Sequence, residues 1–320
     1  MVAMRPTMGL ETLSHTEADN KNMTARLSRP AFLTLLLIAA MMGANHVAAR
    51  LAFNDSVSVM TAVIFRSGVT ALIIALLLLR QRMRVQFSAR HQRALPVIGI
   101  LITVQSFCLY SSVARLPVAL ALLAFNTYPL WTAFWARVLY QHRAEPFVLK
   151  AMPVMLFGLA LALDVLGAAS GLGANAHWQQ IGAGVGFATM AAATFALAMV
   201  ITQHEAVDID GRVRTVITLG TVTVLTSLLA LVSDGWSLPQ SSTGWWGLAG
   251  LTLLYGTAFT LMFSLLPRLG VVGNSAIMNI EPVFALVLAW LLLGQSIAPI
   301  QIAGALIVVG TVMVLGLRRR

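Results

Sequence analysis

Four ionisable side chains sit inside long apolar runs of this 320-residue chain: His46, Arg66, Asp164 and Glu281. A charge placed in hydrocarbon costs several kcal/mol by most scales, so such groups face a bundle interior or water and often bind ions, protons or polar ligands. Glu281 is the most telling, because Pro282 follows it, frees a backbone carbonyl and disturbs the helix locally. Its carboxylate can bind a proton, pair with Arg66 or meet a cationic ligand group. The alternative is a structural ion pair, or packing at an Asn-x-x-Pro bend. Histidine ordinarily changes charge near neutrality, so His46, beside Asn45, admits proton coupling as well as simple hydrogen bonding. Arg66 divides between structural pairing and substrate contact, and Asp164 lies near a span end, where solvation is cheap.

Amides and aromatic rings form a second set. Asn126 and Asn279 each stand three residues before a proline, Pro129 and Pro282. An amide there can satisfy the carbonyl that proline leaves unpaired, and can also reach a ligand. Phe125, Tyr128 and Trp131 share roughly one helical face, suited to stacking on a flat ligand or simply to packing and interface anchoring.

These residues are embedded in a chain that is 58% hydrophobic and 10% charged, with mean hydropathy +0.85. Soluble domains carry roughly 25% charged residues. Breaks at Pro, Gly and charge clusters divide the apolar stretches into ten spans: 31–50, 57–79, 95–114, 118–140, 147–168, 181–203, 213–233, 245–266, 271–293 and 297–317. Each is near the roughly 20 residues that a helix needs to cross hydrocarbon. Most lack an amphipathic face to meet water, which argues against a soluble helical protein. The fold class is therefore all-α integral membrane. Cys108 is alone and lies within a span, so it forms no internal disulfide and reads as a small apolar filler.

A block of the sequence recurs without gaps 153 residues later. Ser111 to Pro146 aligns with Ser264 to Pro299, sharing Arg115/Arg268, Asn126/Asn279, Pro129/Pro282 and Pro146/Pro299 among its identities. The domains follow from it: two five-helix repeats at 31–168 and 181–317, joined by a Gly- and Ser-rich loop over 169–180 and preceded by a disordered, polar segment at 1–28. Met4, Met8 and Met23 are alternative starts to Met1, and no cleavable signal peptide is visible. Duplicated membrane units are the mark of transporters whose site lies at the repeat interface.

A net charge of +10 invites a nucleic-acid reading, but the placement of the charges opposes it. Counting alternately from a cytoplasmic N-terminus, 18 of the 21 basic residues fall on one side, leaving Arg50, Arg66 and Arg115. This is the positive-inside rule, which sets orientation. Both termini are then cytoplasmic. Five spans per copy is odd, so the second copy enters inverted; consistently, the inner turn around Arg143 is basic, whereas its outer counterpart at 294–299 has no charge. No phosphate-binding GxxxxGK[ST] loop, HExxH or CxxC motif is present, so nothing points to ATP hydrolysis, a metal, another cofactor or an enzyme.

The residues resemble a known group. The IFRSG segment around Arg66, the matched ALLAFNTYPLWTAFWA and SAIMNIEPVFALVLAW helices, and NIEPVFALVLAWLLLGQ at 279–295 are similar to the EamA-type carriers of the drug/metabolite transporter superfamily. The resemblance covers nearly all of 31–317. It implies a non-ATP, gradient-driven or facilitated carrier of a small organic metabolite in a bacterial-type inner membrane, with protons as a candidate coupling ion. A homodimer is compatible with it. The first half carries Tyr128 where the second carries Glu281, so a mechanism with two symmetric carboxylates lacks support. GANHVAARLAF, at 43–53, is similar to riboflavin carriers of the superfamily. A cavity lined by Asn45, Asn126, Asn279 and the aromatics suits a flat, largely neutral ligand rich in hydrogen-bonding groups. The expected substrate is riboflavin or a similar heteroaromatic vitamin, taken up. Amino-acid or drug export is the alternative, and a membrane enzyme or accessory subunit is the remote one.

The charge distribution makes a direct prediction. Reporter fusions in the loop spanning 80–93 and at either terminus will read cytoplasmic, and a fusion at 169–173 will read external; the reverse pattern refutes the assigned orientation.

Overall fold

The computed structural model describes residues 29–81, 87–142, 146–167, 171, 173–264, 280–295 and 297–318. Asn279, Arg268 and the 1–28 segment lie outside the described residues. Eleven helices are present among those described: α1 (Arg29–Asn54), α2 (Val59–Arg80), α3 (Ala89–Arg115), α4 (Val118–Phe125), α5 (Tyr128–Tyr140), α6 (Pro146–Ala162), α7 (Ala174–Glu205), α8 (Gly211–Val232), α9 (Ser242–Ser264), α10 (Glu281–Leu293) and α11 (Pro299–Arg318). By length and composition, six stretches are long and apolar enough to cross a membrane, with shorter apolar helices beside them. The chain is a multi-pass membrane protein.

The expected span 118–140 is divided into α4 and α5 at Asn126 and Thr127. Pro129 lies in the first turn of α5 and has no N–H to continue the ladder from α4. The Thr127 hydroxyl donates to the Ala124 carbonyl and the Asn126 backbone N–H to Leu122, so the break is bonded locally.

The same device recurs 153 residues on. α10 starts at Glu281, the counterpart of Tyr128, with Pro282 in its first turn; α5 and α10 both run 13 residues. Both end on a left-handed residue, Gln141 (φ 55°) and Gly294 (φ 63°), and both are followed by a helix that begins at proline, Pro146 and Pro299. Glu281 is the first residue of α10, where the partial positive charge of the N-terminus favours a carboxylate.

The second correction concerns the connection between halves. Ala174 to Gln180, read from sequence as loop, is the first two turns of α7. Gly173, at φ 77°, turns the chain, and residues 174–181 contain no proline or glycine to stop a helix. The His177 ring then ties α7 to the Leu163 carbonyl at 3.0 Å.

Packing pairs the halves. α1 lies on α9 and α3 on α7; α5 lies on α7 and α10 on α1; α2 packs on α8 and α6 on α11. Exchanging each helix for its repeat counterpart returns the same set of pairs, a two-fold relation between the halves. Small residues permit it. A Cβ on Gly43 of α1 would stand 2.9 Å from the Ala285 nitrogen and 3.0 Å from the Glu281 carbonyl of α10. On α6, a Cβ on Gly158 would meet the Gly304 carbonyl of α11 at 3.1 Å. Without a hydrophobic drive between helices in lipid, such close backbone approach supplies the dispersion contact that holds them together.

The exceptions to the charge rule have structural explanations. Arg50 donates to the Val113 carbonyl at 2.8 Å and to Leu116, covering the open end of α3. Arg115 bonds the Ser111 carbonyl one turn back and lies over the Phe187 ring, 4.8 Å from its centroid. Arg66 is different, being buried between tyrosine rings. Of the tryptophans, Trp236, Trp245 and Trp246 are exposed beside the α8–α9 connection, as interface anchors are.

Replacing Gly304 with Val overpacks the α6–α11 contact. The expected cost is about 1–3 kcal/mol, seen as a lowered thermal midpoint of the detergent-purified protein; an unchanged midpoint would show that the helices separate at no cost.

Candidate functional site

Five helices contribute to one buried polar cluster. On α1, Asn45 and His46 are almost wholly buried. His46 Nε2 lies 3.1 Å from Glu281 Oε1 on α10, so the contact joins a helix of the first half to one of the second. On α3, the Tyr110 hydroxyl donates to Asn45 Oδ1 at 3.1 Å, and its ring is 5.6 Å from that of His46. Tyr110 lies beside both His46 and Arg66, and so connects the two parts of the cluster.

Arg66 on α2 is the centre of the second part. Its guanidinium carbon is 4.9 Å from the Tyr110 centroid and 4.0 Å from that of Tyr255 on α9. One tyrosine thus comes from each of two repeat-related helices. An NH2 proton goes to Ser106 Oγ at 2.9 Å, and Ser106 in turn donates to Gln105. The expected pairing with Glu281 is not what holds Arg66. Among the described residues its charge meets ring faces and a hydroxyl, while the carboxylate of Glu281 is engaged by His46. Two desolvated cation–π contacts, each worth up to about 2 kcal/mol, offset part of the cost of burying the charge.

Three polar atoms of this cluster are buried without a hydrogen-bond partner: Asn45 Nδ2, His46 Nδ1 and Arg66 Nε. Buried polar groups are almost always satisfied, so three such atoms on linked residues set this region apart from the ordinary core. Asn45, His46, Arg66 and Glu281, all singled out from the sequence, are brought together. Sequence reasoning misses Tyr110 and Tyr255. A tyrosine in an apolar helix carries no charge signal, and only the fold puts these two beside Arg66.

The remaining candidates separate from this group. Tyr128, at the start of α5, packs against Phe125 (5.8 Å) and against Phe195 of α7 (5.4 Å). This is the counterpart of the Glu281–His46 contact, because α5 on α7 mirrors α10 on α1. One half fills the position with charge and the other with rings. Trp131 turns to Phe134 (6.1 Å), so the stripe of Phe125, Tyr128 and Trp131 is split rather than shared. Asn126 is buried at the α4–α5 break, and Asp164 lies in the turn after α6 with φ 49°. An apolar crevice between α4, α10 and α11, lined by Leu123, Pro282 and Val309 among others, has Gln301 as its one polar side chain and offers little chemistry.

Cross-half hydrogen bonds close both ends. On the end that carries the basic loops, Glu205 accepts from Arg90 (2.7 Å) and Tyr140 (3.0 Å), His91 meets Asp208 (3.0 Å), and Arg212 bonds Gln81 (2.6 Å). At the other end, Asp55 accepts from the Gln240 and Ser241 backbone, both at 2.9 Å, and Ser58 donates to the Gly235 carbonyl. The Ser241 and Gln240 N–H groups hold the Asp55 carboxyl below the usual carboxylate range. A depressed value means that this contact stabilises at neutral pH and is lost only as pH falls through the folded value. The same holds for Asp208, kept low by His91.

The EamA-like transporter family matches residues 29–163 and 182–317, one match on each repeat. The chain belongs to the EamA-like transporter family. Among solved structures, one titled only "Crystal structure of protein" shares the fold, with TM-score 0.58 and 18% identity over 92% of this chain and 99% of that one. A search of curated proteins gives no match. As a member of a transporter family, this EamA-like protein moves small molecules across a bilayer, and the cluster between its repeats stands where carriers of repeated architecture place their sites.

Tyr110→Phe keeps the ring against Arg66 and removes the donor to Asn45. Because Asn45 Oδ1 is then buried unsatisfied, stability should fall by about 1–3 kcal/mol, measured by reversible unfolding in mixed micelles; a shift within error would mean that water replaces the hydroxyl freely.

Proposed function

We propose that this EamA-like protein is a secondary, non-ATP carrier in a cytoplasmic membrane of bacterial type, with both termini inside, and that it couples movement of a small organic metabolite to a proton. The observation that supports this most is the His46–Glu281 contact: a buried histidine against a partly exposed carboxylate, shared between the two halves. An odd number of crossings per half makes the halves inverted, and inverted halves can exchange conformations. A proton bound at the pair changes the charge on the seam between them. With His46 and Glu281 both ionised the contact is an ion pair; removing that proton leaves the carboxylate without a charged partner there. The conformation that keeps the pair apart is therefore favoured differently in the two protonation states.

The clasps at the two ends fit the same reading. Outward opening must part Asp55 from Gln240 and Ser241, and inward opening must part Glu205 from Arg90 and Tyr140. Both sets are hydrogen bonds at the wet ends of the bundle, where water can replace either partner, so one set can be exchanged for the other at small net cost. Asp55 and Asp208 stay ionised throughout the physiological range, leaving the coupling role to the His46–Glu281 pair.

For substrate, riboflavin or a similar heteroaromatic vitamin taken up remains the first candidate. Ring faces of Tyr110, Tyr255 and the Phe125–Tyr128–Phe195 group can hold a flat ligand, and the Asn45 amide can read its edge. Amino-acid or drug export is the alternative.

Two experiments test the proposal. Expression in a riboflavin auxotroph without its own importer should restore growth at low riboflavin; failure with the protein correctly inserted moves the substrate to amino-acid efflux. In proteoliposomes, Glu281→Gln should lower accumulation driven by a pH gradient by about tenfold, the scale of a 1–3 kcal/mol coupling, and flatten its pH dependence. If gradient-driven transport by a well-inserted Glu281→Gln variant is unchanged, proton coupling at this pair is wrong.

A further inference from the structure

Arg66 is buried to 5% exposure and forms no salt bridge among the described residues. Its Nε has no hydrogen-bond partner, and its contacts include the Ser106 hydroxyl and the Tyr110 and Tyr255 rings. Ring faces attract a cation without neutralising it, and they leave the in-plane edge of the guanidinium as its bonding direction. That edge matches a carboxylate or phosphate, which it binds through two parallel N–H bonds. We infer that Arg66, walled by Tyr110 and Tyr255, is an anion-binding subsite, so that among related flat metabolites the carrier prefers those bearing a carboxylate or phosphate. The inference rests on reading the buried cluster as the substrate site, and it ranks the anionic members of the proposed heteroaromatic class, such as a flavin phosphate, above their uncharged counterparts.

Charge counting over the whole cluster adds a consequence. The groups that face one another are Arg66 on α2, His46 on α1, Glu281 on α10, Tyr110 on α3 and Tyr255 on α9. In the deprotonated state of the pair, with His46 neutral and Arg66 and Glu281 ionised, the cluster sums to zero. An arriving monoanion makes it negative unless the His46–Glu281 pair takes up one proton. Burial of a net charge is strongly disfavoured, so anion and proton bind together. An uncharged ligand carries no such requirement. The Arg66 subsite thereby ties substrate class to the coupling ion.

Matched pairs that differ in one anionic group provide the test: flavin mononucleotide with riboflavin, nicotinate with nicotinamide, and indole-3-acetate with indole-3-acetamide. Binding to the purified full-length protein is followed by calorimetry in two buffers of different ionisation enthalpy, which also counts protons. In at least one pair the anionic member should bind about tenfold tighter or more, as expected of a charge-assisted contact of 1.5–3 kcal/mol, with uptake of about one proton that its uncharged partner lacks. Arg66→Gln should reduce the discrimination within that pair to about threefold or less and abolish the proton uptake. Arg66→Lys should restore part of the discrimination, since a point charge replaces the planar fork. A monodisperse gel-filtration peak and unchanged helicity show that each variant is folded.

No anion preference in any pair overturns the inference, as does a preference that survives Arg66→Gln. Riboflavin binding as tightly as flavin mononucleotide, with proton-driven uptake intact, removes the anion subsite alone and leaves the proposed carrier standing. Anion preference without proton-driven transport removes the proton coupling and keeps the subsite. No binding by any of the six compounds overturns the inference together with the heteroaromatic reading.

Discussion

Hydrocarbon offers no hydrogen bonds and little dielectric screening, and that constraint organises this molecule. Backbone must satisfy itself, which leaves helices; charges must be paired or enclosed, which gathers them between helices. The first repeat interrupts its ladder before Tyr128 at Pro129, where a threonine hydroxyl and nearby amides bond the break, and in the second repeat α10 begins at Glu281 with Pro282 in its first turn. Each arrangement provides a helix N-terminus with its partial positive charge, and at α10 that terminus carries Glu281.

The same constraint explains why the halves diverge at related positions. Duplication supplies two equivalent contacts, α10 with α1 and α5 with α7. Charge in both would double the cost of burial. In this chain one contact is the Glu281–His46 pair and the other the Tyr128–Phe195 aromatic pair, 5.4 Å between centroids. The aromatic contact keeps the shape of the joint without the electrostatic cost. A two-fold scaffold thus holds a site that is not two-fold. Arg66, seated between Tyr110 and Tyr255 from the related helices α3 and α9, sits where the two halves meet.

Close approach of helices is the other requirement. Gly43 lets α1 touch the backbone of α10 at Ala285 and Glu281, so the distance that makes the His46–Glu281 contact is set by a residue with no side chain at all. Packing at one turn of α1 and chemistry at the next are the same geometric fact. A bulkier residue at Gly43 would push apart the helices that carry the two ionisable groups.

Much of this was legible in the sequence because its signals are local. Run length and low charge identify membrane helices, since each span must meet lipid on its own account. The recurrence of Asn126, Pro129 and Pro146 at a fixed shift identifies the duplication, which the family match on each half bears out. Charged residues in apolar runs were noticeable for the same reason, so Asn45, His46, Arg66 and Glu281 could be named before any fold was known. What the sequence could not decide was who meets whom. The pairing of Glu281 with His46 rather than Arg66, the tyrosines around Arg66, the division of the aromatic stripe and the helical start of α7 at Ala174 all depend on how helices distant in the chain are placed and turned. Nothing in the spacing of residues along one helix encodes its rotation about its own axis against a neighbour. That rotation follows from many small contacts such as those of Gly43 and Gly158, summed over the whole bundle.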